Sequence, residues 1–228
     1  RDNIKAACEI YISLKSLLQK LYGKHSTNVG DEGGFSPNFE KNWQALDLIT
    51  KAIKEMTYEN DVKISIDAAA SSFYNNGNYY VDGKTLKPDE LVDYYKDLIK
   101  TYNILSIEDP FSEEHYKYYK ELKAYTKVIG DDLTVTNIEF VRKYKGLING
   151  LIIKPNQIGT ITETIETFKF AKKHCPFIIT SHRSGETESS FIADLAVGLG
   201  SPYVKFGAPA RGERTAKYNR LMEIGDML

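Results

Sequence analysis

Cysteine is almost missing from this chain. Two occur, Cys8 and Cys175, among 228 residues. A disulfide-stapled secreted fold uses more, so two buried thiols are the expected state, with one Cys8–Cys175 bridge as the alternative. Long apolar runs are missing too. A membrane-spanning helix needs about 18 apolar residues in succession, and no such run occurs. No signal-peptide pattern is read either, so a cytoplasmic setting is expected. Excess charge of one sign is the third absence: 30 Lys plus Arg face 31 Asp plus Glu. Neither nucleic acid nor an anionic membrane surface is therefore an expected partner. Low-complexity tracts and a P-loop are lacking, and the glycine-rich DEGG is too short for a dinucleotide fingerprint.

What is present has the balance of a globular domain with a sizeable core, 42% hydrophobic and 27% charged. Short β-branched or aliphatic runs recur: KISIDAAA, ILSIEDPF, KVIGDD, GLIIKPN, FIITSHR and YVKFGA. They lack strict polar alternation, which points to strands buried on both faces, as in a parallel sheet. Helical periods lie before and between them, at Ile4 to Tyr22, Pro88 to Tyr102, Glu113 to Tyr125, Asn137 to Tyr144, Thr160 to His174 and Ser189 to Leu199. A last helix is expected from Arg214 to Ile224, and a polar loop from Tyr74 to Lys87. Each apolar run ends near a charged or ionisable residue: Asp67, Glu108, Asp131, Lys154, His182 and Lys205. These recur at intervals of 41, 23, 23, 28 and 23 residues, the length of a compact βα unit with a longer first one. An open doubly wound sheet and a barrel both fit that alternation. Polar groups at every strand end favour a barrel, whose site gathers there. Six strands fall short of the eight a closed barrel needs, so the missing two are expected before Arg1. Arg1 itself stands at the edge of a helix, the expectation being a chain that is cut, processed or part of a longer protein.

Three strand-end acids, Asp67, Glu108 and Asp131, would be costly beside apolar runs unless paired, hydrogen-bonded or metal-bound. Singly, each reads as a turn or capping residue. Together at one barrel face they would need a cation, and an oxygen-only donor set suits Mg²⁺ better than zinc. Lys154 follows three aliphatic residues. An ordinary surface lysine is one reading. The other is a partly desolvated amine near other cations, a setting that favours a base. Lys205 has the same context, so one base and one charge clamp are expected. His182, Arg183 and Ser184 precede a Gly185 turn and could cradle a phosphate or carboxylate. Glu32 sits among Gly30, Gly33 and Gly34, as a turn cap or as a catalytic acid. Such parts suit removal of a proton α to a carboxylate, with metal ions stabilising the enediolate and an acid assisting a β-leaving group.

The motifs NVGDEGG, SIEDPF, DDLTVTN, IIKPNQIGT, SHRSGETE and KFGAPARGER closely resemble those of the enolase family, and the resemblance runs from Arg1 to Leu228. It implies a TIM-like α/β barrel of the ββαα(βα)₆ type, of which this chain matches the αα(βα)₆ portion. It implies a lyase of glycolysis and gluconeogenesis that interconverts 2-phospho-D-glycerate and phosphoenolpyruvate. The enolase superfamily as a class pairs a Lys or His base with one or two Mg²⁺ ions, and that pairing comes with the resemblance. So do the roles: Asp67, Glu108 and Asp131 as metal ligands, Lys154 as base on C2, and Glu32 as acid on the C3 hydroxyl. Glu32, Glu108, Lys154, His182, Arg183, Ser184 and Lys205 are the implied substrate-binding residues, with Lys205 holding the substrate carboxylate.

The departure from the family pattern is an absence. An N-terminal domain, the first two barrel strands, a second catalytic glutamate and another histidine are expected before Arg1, and an isolated chain of this extent is expected to be inactive. A homodimer or higher homo-oligomer is implied by the family. The short loop after Asp67 resembles archaeal members. Racemases and lactonising enzymes of the superfamily are the rival reading, but they typically carry a Lys-x-Lys pair on an earlier strand. Some enolases also occur on cell surfaces and bind plasminogen, often through C-terminal lysines. This chain ends in GDML, which weakens that expectation without removing it.

Overall fold

A computed structural model describes residues 1–228. In chain order its elements are α1 (Asp2–Tyr22), α2 (Asn42–Glu55), β1 (Ile64–Asp67), β2 (Tyr74–Asn75), β3 (Asn78–Val81), β4 (Lys84–Leu86), α3 (Pro88–Tyr102) and β5 (Ile104–Glu108). There follow α4 (Lys117–Leu122), β6 (Lys127–Gly130), α5 (Ile138–Tyr144), β7 (Gly150–Ile153), α6 (Pro155–Ile158), α7 (Ile161–Ala171), β8 (Phe177–Ser181), α8 (Phe191–Leu199), β9 (Tyr203–Lys205) and α9 (Gly212–Met227). All six apolar runs form strands. The chain divides into two compact units, Arg1–Val62 with Ser181–Leu228, and Lys63–Thr180.

The second unit is built on parallel strands that pair in chain order, β1 with β5, β5 with β6, β6 with β7 and β7 with β8. No reversal of order occurs, whereas a doubly wound sheet reverses at its switch point. The connecting helices are defined by local chemistry. Pro88 opens α3, the Glu90 carboxylate accepts the Lys87 N–H at 2.7 Å, and Leu91, Val92, Tyr95 and Leu98 form its buried face. The Asn137 side chain caps α5 by accepting the Glu139 N–H at 2.9 Å, and Thr160 caps α7 through the Glu163 N–H at 3.2 Å.

Two expectations are corrected in this unit. The segment from Tyr74 to Lys87 is not a plain loop: β2, β3 and β4 form a small antiparallel sheet. Asn76-Gly77 and Asp82-Gly83 both have positive φ, which suits two-residue hairpin turns. The expected helix from Glu113 to Tyr125 is broken into a 3₁₀ turn, Glu113–His115, and α4. Side chains on both pieces are tied elsewhere: the Tyr79 hydroxyl lies 2.8 Å from His115 Nδ1, and the Tyr119 hydroxyl donates to the Phe111 carbonyl at 2.8 Å.

In the first unit α1 packs on α2, and Leu17, Leu18, Leu48 and Ala52 are buried against Phe35 and Phe39. Helix α2 has the i, i+3, i+4 spacing of an amphipathic helix in Leu46, Ile49, Ala52 and Ile53, and the Gln44 side chain accepts the Lys41 N–H at 2.9 Å. It was not among the helices expected from periodicity. Helices α8 and α9 close on Phe206, and Arg220 grips Asp194 with Nη2 to Oδ1 at 2.6 Å.

Strands β7 and β8 come so close at Gly150 that a Cβ there would lie 1.9 Å from the Phe177 carbonyl oxygen. Gly150→Ala should lower stability by about 2 kcal/mol or more through backbone displacement. Gly146→Ala, where a Cβ meets nothing within 4 Å, should be close to neutral. Urea unfolding of both variants, followed by circular dichroism, checks this.

Candidate active site

The second unit gathers acids at the exits of its strands. Asp67 and Glu108, the last residues of β1 and β5, stand opposite one another in register. Asp131 falls one residue beyond β6 rather than on it. Glu108 is 6% exposed and Asp131 7%, so their charge must be answered locally. Lys154, just past β7, donates from Nζ to Asp131 Oδ2, and Gln157 Nε2 donates to Asp131 Oδ1 at 2.9 Å. The Thr136 hydroxyl accepts the Lys154 backbone N–H at 2.8 Å and donates to Gln157 Oε1, also at 2.8 Å. These bonds close a ring through Asp131, Lys154, Thr136 and Gln157. Val135 and Thr136 both have positive φ, which is uncommon for β-branched residues and marks a strained turn beside the acids.

The tightest acid cluster is not the expected set. One oxygen each of Asp109, Asp131 and Asp132 lie within 4.8 Å of one another. Only Asp131 belongs to the triad read from sequence. Asp109 accepts the backbone N–H of Asp131 at 3.0 Å and of Asp132 at 2.6 Å, and the Tyr119 hydroxyl at 3.3 Å. Burial pushes its carboxyl up to about 7, against those backbone donors. Its oxygens are committed to holding the loop after β6, so Asp109 orients Asp131. Burial, and then the Asp131 charge, raises Asp132 as well. The donors available at the strand ends are carboxylate oxygens, a set that suits a hard divalent cation.

The first unit holds the other candidates. Glu32 lies in a loop pinned by Gly30 N–H to Gly34 O at 2.9 Å. Gly33, at φ 79, could carry no side chain, because a Cβ would sit 2.7 Å from the Ala210 carbonyl oxygen. The Ser184 hydroxyl donates to Glu32 Oε1 at 2.7 Å, and His182 Nε2 lies 3.2 Å from Glu32 Oε2. That last approach is not well aligned, and His182 Nε2 makes no regular hydrogen bond. The Glu32 carboxyl is lowered to about 2, chiefly by His182, against burial, with help from Ser184 and the Lys205 charge. Lys205 ends β9, and its carbonyl accepts the His182 N–H at 3.0 Å. Arg183 and Ser184 are exposed on the loop that follows.

Helix α9 fixes that loop from beneath with two buried cations one turn apart. The Arg214 guanidinium, 1% exposed, donates to the carbonyls of Arg183 (2.7 Å), Ser184 (2.6 Å) and Asp31 (2.8 Å) and contacts His182 Nδ1 at 2.6 Å. Lys217 Nζ donates to the carbonyls of Thr187 and Glu213, both at 2.8 Å. Sequence reasoning missed Asp109, Gln157 and Arg214, although each lies inside a quoted motif. Glu32, His182 and Ser184 meet in the first unit, as do Asp131 and Lys154 in the second.

The model of the family described as "Enolase, C-terminal TIM barrel domain" matches residues 1–228. The chain is similar to enolases of three archaea. It is 53% identical to that of Sulfurisphaera tokodaii over 228 residues, covering 98% of this chain and 55% of the relative. Identity is 51% to that of Sulfolobus acidocaldarius, with the same coverage. To that of Methanocaldococcus jannaschii it is 48%, covering 98% of this chain and 54% of the relative. The chain thus spans about half the length of the curated relatives it matches.

Glu32 links site geometry to pH. Its folded value lies below the ordinary 4.5, so the unfolded chain takes up the proton first. The stability it contributes is full above pH 4.5 and is lost as pH falls toward 2. Glu32→Gln should therefore destabilise the protein at pH 7 and much less at pH 3. Denaturant midpoints of both proteins at the two pH values test this, and an equal difference at both would contradict it.

Proposed function

The chain belongs to the enolase family, and we propose that it carries the residues for reversible dehydration of 2-phospho-D-glycerate to phosphoenolpyruvate, a carbon–oxygen lyase step of glycolysis and gluconeogenesis. Because it matches about half of its relatives' length, the activity is assigned to the intact protein, and residues 1–228 to its barrel portion. The observation that supports this most is the Lys154–Asp131 pair at the exits of the neighbouring strands β7 and β6. It sets a lysine amine, a base once deprotonated, beside a carboxylate suited to a divalent cation, the two groups that proton abstraction next to a carboxylate requires.

In the forward direction Lys154 Nζ takes the proton from C2, and the C–H electron pair moves into the substrate carboxylate as an enediolate. The pair then returns to form the C2–C3 double bond as the C3 hydroxyl leaves, taking a proton from Glu32 and departing as water. Asp67, Glu108 and Asp131 would hold Mg²⁺, which would supply positive charge against the doubly charged carboxylate. The Asp131 contact positions the lysine, but Lys154 must leave it and lose a proton before acting as base. Glu32 is ionised in the free site, held so by His182 and Ser184. An anionic substrate beside it favours its protonated form, which the leaving hydroxyl needs. His182, Arg183 and Ser184 bind the substrate and its phosphate, Glu108 also borders the substrate, and Lys205 holds the carboxylate. Free Cys8 and Cys175 fit a reducing cytoplasm, and assembly as a homodimer or higher homo-oligomer is part of the same reading.

The intact protein, given 2-phosphoglycerate and Mg²⁺, should form phosphoenolpyruvate, followed by its ultraviolet absorbance. Dehydration of an unphosphorylated acid with no product from 2-phosphoglycerate would instead favour another superfamily activity. Lys154→Ala should slow exchange of the C2 proton into D₂O by about 10³-fold and leave Mg²⁺ binding largely intact. Exchange at the wild-type rate would remove Lys154 as the base.

A further inference from the structure

We propose that Arg214 is a positioning residue that fixes His182 as the neutral Nε2–H tautomer, so that the imidazole turns a ring N–H, and not a lone pair, toward Glu32. The argument is one of proton inventory. A guanidinium has only donors and keeps its charge in proteins. Arg214 Nη1 lies 2.6 Å from His182 Nδ1, so Nδ1 must be the acceptor. The ring proton is then on Nε2, the nitrogen 3.2 Å from Glu32 Oε2. A second proton on Nδ1 would set two N–H groups against each other. Solvent gives little relief, since His182 is 2% exposed and Arg214 1%.

Arg214 cannot readily turn aside. Three carbonyls, those of Asp31, Arg183 and Ser184, hold its guanidinium. Gly207 leaves room for the pair: a Cβ there would lie 2.9 Å from Arg214 Cδ and 3.1 Å from His182 Cε1. Charged groups face the histidine and its two partners from three elements. Arg214 faces it from α9, with Glu213 Oε1 4.0 Å from Arg214 Nε. Glu32 faces it from the glycine-rich loop, and Lys205 of β9 acts on that carboxylate. Of these, Arg214 and Lys205 oppose an imidazolium, Glu213 lies against Arg214, and Glu32 faces the nitrogen that already carries the proton.

The proposal deepens the enolase reading and rests on it for its catalytic meaning. A locked His182 cannot relay a proton to Glu32. Relay would require either a second proton at Nδ1, which Arg214 blocks, or loss of the Nε2 proton to give an imidazolate. Its role is to orient the Glu32 carboxylate, and the proton on Glu32 comes from solvent or substrate. With the lock removed, the ring proton is free to move to Nδ1, which turns a lone pair toward the Glu32 carboxylate and unseats it.

Long-range ¹H–¹⁵N correlation spectra of the ¹⁵N-histidine-labelled intact protein test the lock directly, with His182→Gln giving the assignment. The expected pattern is that of a neutral Nε2–H tautomer. A wild-type imidazolium or Nδ1–H tautomer at His182 overturns the proposal. In Arg214→Met, the Nδ1–H tautomer of His182 should appear beside the Nε2–H form, and kcat should fall while KM changes little. A folded Arg214→Met whose His182 keeps the pure Nε2–H pattern also overturns it. If that variant fails to fold, the wild-type tautomer decides alone. A fixed Nε2–H tautomer in a protein that forms no phosphoenolpyruvate supports the lock and removes the catalytic reading.

Discussion

A carboxylate pressed into the exit of an apolar strand layer must be answered by a cation, and the second unit is arranged around that requirement. Asp131 is nearly buried and meets the Lys154 ammonium and the Gln157 amide. Removing one partner of such a pair costs about 3–5 kcal/mol, because the other charge is left uncompensated. The strained turn at Val135 and Thr136 follows from the same requirement. It brings the Thr136 hydroxyl to where it can hold both the Lys154 backbone and the Gln157 side chain. Asp109 then fixes the loop that carries Asp131 by accepting its backbone N–H.

The first unit meets the same constraint with the signs exchanged. There the deeply buried charges are the cations of α9, Arg214 and Lys217, and backbone carbonyls of neighbouring loops answer them. Those carbonyls belong to the segment that presents His182, Arg183 and Ser184. Helix α9 is thus a support for a loop as well as a packing element. Glu32 reaches that loop through Ser184 and His182, on a turn whose glycines allow close backbone approach. In both units the residues that would touch substrate are held by buried partners that are themselves tied to the backbone, which is how a site keeps its geometry before a ligand arrives.

The strands were legible because burial on both faces leaves a short, uninterrupted apolar run, and all six such runs are strands. Chain-order pairing then separates the barrel type from a doubly wound sheet, a distinction the alternation of runs and helices left open. The hairpins at Asn76-Gly77 and Asp82-Gly83 carried a plain turn signal that the polar composition of the segment masked. The helix expected over Glu113 to Tyr125 had a helical period, but tertiary bonds from Tyr79 and Tyr119 interrupted it. Among the candidate site residues, an ionisable side chain at a strand end was easy to single out, as with Asp131, Lys154 and His182, whereas Glu32 was marked by the glycines around it. Asp109, Gln157 and Arg214 were not, because they act on other residues and their partners are distant in sequence. Arg214 is 32 positions from His182. Family resemblance supplied the roles, and the geometry supplied the supports beneath them.

The central claim is that the strand-end carboxylates of the second unit form a divalent-cation site organised by Asp131. Calorimetric titration of the intact protein with Mg²⁺ tests it most directly, with Asp131→Asn beside wild type. Wild type should bind, and the variant should bind about 100-fold more weakly, because a hard cation loses a charged oxygen ligand. Equal affinity in the two proteins, with both folded, would contradict the account.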